Sequence, residues 1–178
     1  MSKTSGTEHP MRKIKLEKVV VNIGVGEGGE RLQKAEKVLS MITGQKPLIT
    51  RARVTNRDLG VRRGMSIGVK VTLRGKKAED FLKRAFWIRD NKIADYSFDK
   101  YGNFSFGITD HTDFEGMKYD PNIGIFGMDV CAVLTRPGKR VEHRKRARSK
   151  VAEKHRVTKE EAMKFLKEKF NVEIVSSR

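Results

Sequence analysis

A single thiol, Cys131, is all the cysteine this sequence contains. That excludes an internal disulfide and any zinc site built on several cysteines, and it favours a reducing, cytoplasmic setting. Long apolar runs are missing as well. No stretch of about 18 apolar residues is present to span a bilayer, and no basic amphipathic helix with an aromatic face stands out for a membrane surface. The opening MSKTSGTEHP holds no apolar leader, so secretion is not expected. His9, His111, His143 and His155 are the only histidines. None stands at metal-ligand spacing from another His, Cys or acid. The acids of 110–120 lack the spacing of a calcium loop, and no Ser or Cys sits in a nucleophile elbow. The expectation is a chain with no metal, no cofactor, no small-molecule substrate and no catalytic residue.

Positive charge is what the sequence has in excess. Lys and Arg total 39 against 22 Asp and Glu, for a net charge of +17. An excess of that size predicts a polyanionic partner. Its distribution sharpens the point. Residues 45–77 carry ten Lys/Arg and one acid, residues 136–156 carry ten and two, and the remainder of the chain is neutral overall. Within that remainder, residues 78–135 carry six basic and ten acidic residues. Two blocks that contain the whole excess predict nucleic-acid contact at two places rather than a generally solvated surface. The 178 residues suit one domain that buries its own core.

The order of elements follows from periodicity. Residues 1–10 read as a flexible tail and 11–178 as one domain. KIKLEKVVVNIGVG reads as a strand, with Leu16, Val19, Val21 and Ile23 on one side and Lys18 and Asn22 on the other. Leu32, Ala35, Val38, Leu39 and Ile42 recur at helical spacing before Gly44. Residues 47–54 and 67–74 read as strands joined by a long polar hairpin loop, 55–66. In the second strand Val69, Val71 and Leu73 face the core, opposite Lys70, Thr72 and Arg74. A helix over 76–91 has Ala78, Phe81, Leu82, Ala85 and Ile88 as its stripe, with Glu79–Lys83 and Asp80–Arg84 as supporting pairs. Trp87 and the aromatics Phe98, Tyr101, Phe104, Phe106, Phe114, Tyr119 and Phe126 are assigned to the core, because they lie away from the basic blocks. MDVCAVLTRP reads as a buried strand, 138–156 as a basic segment without an apolar stripe, and Thr158 with Glu161 as a capping box before a last helix. NVEIV closes as a short strand. The sum is an α+β fold: a mainly antiparallel sheet with helices on one face and a basic, polar face left for RNA.

Gly24-Val25-Gly26-Glu27-Gly28-Gly29 matches a dinucleotide-binding fingerprint between a strand and a helix. The supporting parts are missing. The next strand carries Arg51 and Arg53 rather than a ribose-binding acid, and the strands that follow join by a hairpin. A flexible turn that also lets RNA backbone come close is the better reading. A small nucleotide-dependent enzyme is the runner-up, and a free RNA chaperone is the other alternative.

Three segments carry a likeness to a known family: KVVVNIGVGE, ITGQKPLITRARVTNRDLGVRRGMSIGVKVTLRG, and GNFSFGI with DFEGMKYDPNIGIFGMDV. They resemble the universal large-subunit ribosomal protein family L-five, and GMKYDPNIGIFGMDV with RPGKRV resembles its archaeal and eukaryotic branch. The resemblance implies a ribosome-bound structural protein, not an enzyme. It implies a place in the central protuberance, where it anchors 5S rRNA, touches large-subunit rRNA and P-site tRNA, and meets a small-subunit head protein across an intersubunit bridge.

Residue assignments follow from pattern and resemblance together. The family's 5S rRNA positions fall on Lys18, Asn22, Gln45 and Thr72. Lys70 and Arg74 share the outward strand face with Thr72. Arg57, Arg62 and Arg63 give the 55–66 loop a cationic tip, which the resemblance assigns to tRNA. Arg144, Lys145, Arg146 and Arg148 are expected to contact rRNA phosphates, in a segment that stays mobile until RNA orders it. The acidic stretch 110–120 is the expected bridge face.

Overall fold

The computed structural model describes residues 9–176. The tail expected over 1–10 lies outside the described residues apart from His9 and Pro10, which begin a 3-10 turn at Pro10–Arg12.

Strand β1 (Lys15–Gly24) has Val19, Val21 and Ile23 fully buried. Leu16 belongs to the same side although it is out of phase with Val19. A bulge reconciles them: Leu16 lies opposite Leu134 and Lys18 opposite Val133, so Glu17 is the extra residue. Helix α1 (Glu30–Thr43) buries the expected stripe and ends at Gly44, whose φ of 61° is the left-handed stop that glycine adopts without strain. Strands β2 (Leu48–Arg51) and β3 (Ser66–Leu73) form the expected hairpin. Helix α2 (Lys76–Ile88), β4 (Lys92–Ala94), β5 (Phe104–Ile108), β6 (Met128–Thr135), the single turn α3 (Arg140–His143), α4 (Lys159–Phe170) and β7 (Glu173–Val175) complete the chain. The capping box of α4 is present, with Thr158 and Glu161 each satisfying the other's backbone N–H.

The main sheet has the order β2-β3-β1-β6-β5, and every pairing in it is antiparallel. A second, two-stranded sheet pairs β4 with β7 in parallel, which the expectation of one sheet did not include. The inward residues of β1, β3, β5 and β6 and the apolar sides of α1, α2 and α4 form one continuous core. The opposite face of the main sheet is left open, as the α+β reading requires.

Several expectations about the core need correction. Phe86 joins the stripe of α2, with ring centroids 5.4–6.1 Å from Phe170, Phe106 and Phe104, while Ile88 packs against the core half-buried. Placing Phe86 inward turns Trp87 outward by one helical step, and Trp87 is 68% exposed. Phe98, Phe104, Phe106, Phe114 and Phe126 are buried, whereas Tyr119 is exposed and Tyr101 half-buried. The two helical ion pairs expected on α2 give way to one tertiary ion pair and one tertiary hydrogen bond. Glu79 pairs with Lys169 of α4, and Arg84 donates to the Ile42 carbonyl at the end of α1 (3.1 Å), where the helix dipole favours a cation. Strand β6 is buried on one side only: Met128, Val130, Ala132 and Leu134 point inward, and Asp129 and Cys131 are exposed on the other side.

Candidate nucleic-acid interface

The open sheet face carries the residues expected to meet 5S rRNA. Because β1 is central, its outward side chains lie between those of β3 and β6. Asn22 stands opposite Lys70 on one side and Asp129 on the other, and Lys70 in turn faces Leu48 of β2. In the next row Val20 lies between Thr72 and Cys131. Lys18, Asn22 and Lys70 are partly buried, while Thr72 and Arg74 are exposed. Gln45 stands apart from these rows, in a shallow recess at the end of α1 with Lys37 and Lys46.

Asp129 is an acid in the middle of this face, and it affects its neighbours. It adds to the burial that raises the pKa of the Cys131 thiol, burial being the larger cause. The thiol therefore stays neutral near pH 7 and offers RNA a weak donor rather than a charge. Next to Asp129, a phosphate would be repelled. Asn22 and Thr72 are thus better suited to sugar hydroxyls and base edges, with phosphate left to Lys18, Lys70 and Arg74.

The structure joins the start of the basic segment to this face. A groove runs past Lys18 and Arg74 to Arg136, Lys139, Arg140 and His143. The antiparallel β1–β6 pairing causes this, since Lys15 opposite Thr135 brings the chain after β6 back to the start of β1. The bulged Glu17 fixes the junction with a 2.8 Å ion pair to Lys139. Lys139, Arg140 and His143 were missed as members of this face. The signal that would have found them is the RPGKRV run directly after a strand, had the partner of that strand been known.

Beyond the groove, Arg144, Lys145, Arg146 and Arg148 are all exposed. The segment that carries them is tied at both ends to Glu142. The Glu142 carboxylate accepts from the Val151 N–H (3.1 Å) and from the Arg156 guanidinium (3.1 Å). Its pKa is held below the ordinary glutamate value, first by the Val151 bond and further by the charges of Arg156, Lys139 and His143, against a desolvation that opposes them. The Ser149 N–H donates to the Val141 carbonyl, closing the loop.

The 55–66 loop is not the open span that its length implied. Ala52 and Met65 continue the β2–β3 ladder, and Asn56 and Val61 exchange both backbone hydrogen bonds (2.8 and 2.9 Å). The Asn56 side chain accepts from the Asp58 and Leu59 N–H groups, and Thr55 Oγ1 accepts from the Arg63 N–H. Val61 is buried within the loop. Arg57 lies in the tip turn and Arg62 and Arg63 on the returning arm, all exposed, with Val54 and Leu59 exposed beside them.

The acidic stretch 110–120 lies on a different part of the surface. Asp110 caps the Thr112 N–H (2.9 Å), and the buried His111 accepts from the Phe126 N–H through Nδ1 (3.2 Å). These are turn-holding roles. Asp113 lines a shallow recess with Trp87 and Asp90. The glycine turn 24–29 leads through α1 to a strand that is not the neighbour of β1, because β3 lies antiparallel between β1 and β2, and its Val25 and Gly26 N–H groups both donate to the Ile67 carbonyl. Those donors are already engaged and cannot cradle a pyrophosphate. Among the described residues there is no metal-holding cluster and no helix long and apolar enough to cross a membrane.

Comparison with known proteins gives consistent results. Residues 9–62 match the family described as "Ribosomal protein L5", and residues 66–165 match the C-terminal part of the same ribosomal family. A protein of Sulfurisphaera tokodaii, "Large ribosomal subunit protein uL5", is 58% identical over 170 residues, covering 95% of this chain and 96% of its own. Proteins of the same description from Picrophilus torridus and Methanococcus aeolicus are 55% and 49% identical, each over 170 residues. They cover 95% and 94% of this chain, and 97% and 94% of their own.

Proposed function

From the premise that the chain belongs to the ribosomal protein L5 family, a structural constituent of the large ribosomal subunit and not an enzyme, we propose that it holds 5S rRNA on its open sheet face. The observation that carries this reading is the outward row Lys70–Asn22–Asp129, continued through Lys18 and Arg74 into the Lys139–Arg140–His143 groove. Polar groups read sugars and base edges at the centre, and cations grip phosphate at the rim. Gln45 extends the contact from the end of α1. Gel-shift titration with 5S rRNA tests it: wild-type protein binds, and Asn22→Ala with Thr72→Ala binds more weakly. Equal affinity of the two proteins removes the sheet face from the interface.

Three further contacts complete the proposed role in the cytoplasmic ribosome. Arg57, Arg62 and Arg63 on the β2–β3 hairpin reach the backbone of P-site tRNA, where a planar guanidinium pairs with any phosphate regardless of sequence. Ribosomes with all three changed to Ala assemble and release tRNA faster. Failed assembly with normal tRNA retention in the few complete ribosomes would make the hairpin an rRNA anchor instead. Arg144, Lys145, Arg146 and Arg148 meet large-subunit rRNA phosphates. The acidic 110–120 side, with the exposed Trp87 next to Asp113, meets a basic protein of the small-subunit head. Crosslinks from this side that reach only rRNA would remove that bridge.

A further inference from the structure

We propose that the recess under the basic segment is a slot for one unpaired RNA nucleotide turned out of its stack, an inference that rests on the RNA-binding reading above. The recess holds a cavity of about 200 Å³, smaller than the roughly 300–1,000 Å³ of a site for a whole drug-sized ligand and so suited to a single base. Leu134 and Val157 give it an apolar side, and Asn103 and Thr135 a polar one. That mixture suits a base, which has flat apolar faces and a hydrogen-bonding edge.

One wall is an aromatic–guanidinium pair. The Arg156 guanidinium lies 4.9 Å from the Tyr101 ring centroid. Its Nη2 is engaged by Glu142 at 3.1 Å, which holds the planar group in place. Tyr101 is also held firmly. Its N–H and that of Asn103 both donate to the Asp99 carboxylate at 2.8 Å. Between them Gly102, at φ +71°, packs so closely that a Cβ would come within 2.9 Å of Val157 and 3.0 Å of Ala162. The turn is thus fixed against the start of α4 while its tyrosine stays half-exposed at the recess. The exposed Lys100 also stands over this ring, at 4.9 Å, and an entering base takes the place of its ammonium, since a preordered aromatic beside a guanidinium is the stacking surface that unpaired bases use.

The position of the recess selects RNA over a free nucleotide. Thr135, Arg136 and Lys139 line both the recess and the cationic groove that leads to Lys18 and Arg74. A strand whose phosphates follow the groove passes the mouth of the recess and can turn one base into it. Arg136 is wall rather than ligand: its guanidinium is nine-tenths buried and donates to Glu161 (2.7 Å) and to the carbonyls of Arg12 (3.1 Å) and Arg156 (3.4 Å).

The test compares full-length wild type, Tyr101→Leu and Tyr101→Phe for binding to large-subunit rRNA and 5S rRNA, with ultraviolet crosslinking of the wild-type complex. Tyr101→Leu keeps bulk and loses the ring. It is expected to lower affinity on the order of tenfold, as loss of one stacked base does, with an unchanged salt dependence because no phosphate contact is lost. Tyr101→Phe should bind as wild type, and the crosslinked peptide carrying Tyr101 should hold a single nucleotide. Equal affinity of Tyr101→Leu with no adduct at Tyr101 overturns the slot while leaving RNA binding intact. A flattened salt dependence also overturns it, by tracing the effect to a disturbed basic segment. Wild type that binds neither RNA overturns the broader reading too. A melting temperature raised by nucleoside 5′-monophosphates alone, in wild type but not Tyr101→Leu, would reassign the slot to a free nucleotide.

Discussion

The two basic blocks of this protein, 45–77 and 136–156, carry similar charge, and the loops that project from them are built on opposite principles. The 52–65 hairpin is held by backbone: the Asn56–Val61 pair, the Ala52–Met65 ladder and the Asn56 side chain in the tip turn. None of those bonds depends on an ionised group. The 138–156 segment is held by charge, through Glu142 on Arg156 and Val151 and through Lys139 on Glu17. The hairpin should therefore keep its shape in any salt or pH that leaves the sheet folded. The segment, whose ends are joined across the loop by one backbone bond from Ser149 to Val141, should loosen as its acids lose their charge or its pairs are screened. A cation on a rigid arm suits a ligand that comes and goes. A cation on a segment tied by ion pairs suits a permanent RNA contact, whose phosphates replace those pairs.

The largest expected effect that bears on this contrast comes from the segment. Neutralising Arg144, Lys145, Arg146 and Arg148 should lower rRNA affinity on the order of a hundredfold or more at about 0.1 M salt, and reduce the log–log salt slope by roughly 3 to 4. Arg57→Ala with Arg62→Ala and Arg63→Ala should leave that slope alone if the hairpin serves tRNA. Equal slopes for both sets would erase the distinction. Next in size is the sheet face between the two regions. Asn22→Ala with Thr72→Ala should cost about 1–3 kcal/mol of 5S rRNA binding, the range for buried hydrogen bonds left unmade, and isothermal titration reads it directly.

A smaller effect tests the ion-pair scaffold. Because the folded state depresses the Glu142 pKa, its contribution is complete above the ordinary value of 4.5 and is lost as pH falls through the lowered one. Amide exchange at Val151 and Ser149 should accelerate on acidification relative to the intrinsic rate, and Glu142→Gln should accelerate it on the order of tenfold at neutral pH. That variant also adds one net positive charge, so faster exchange without tighter RNA binding is the expected pair of results. Protected amides in the variant would show that the segment has another anchor. The smallest effect belongs to the hairpin. Asn56→Ala removes the acceptor for Asp58 and Leu59 and should cost about 0.5–1.5 kcal/mol locally. It should be visible as faster exchange at those two amides, without a change in global melting.

What the sequence made legible divides along the same line. Elements specified by neighbours in the chain were readable: the β3 alternation, the α1 stripe with its Gly44 stop, and the Thr158–Glu161 box. Residues 18, 22, 70, 72 and 74 could be put on one face by counting alone, because a strand alternates. Features decided by distant segments were not readable. Whether Phe86 joins the α2 stripe depends on where Phe170 and Phe104 arrive. The groove depends on β6 returning beside β1, and the Tyr101–Arg156 pair joins residues that are 55 positions apart. The assignment of Tyr101 to the core followed from its acidic neighbours in sequence, whereas its neighbour in space is an arginine.

The central place of β1 also sets a schedule for synthesis. It is the first strand made, yet one of its two neighbours is β6, whose last residue is Thr135. Until that stretch has left the exit tunnel, the β1 edge that β6 will cover lacks its partner, an exposure that favours wrong pairings. The non-local pairing that removes the exposure is intrinsically slow. Arg136 to Arg156 follow β6 directly, so the most cationic stretch reaches solvent only after every strand of the main sheet has emerged.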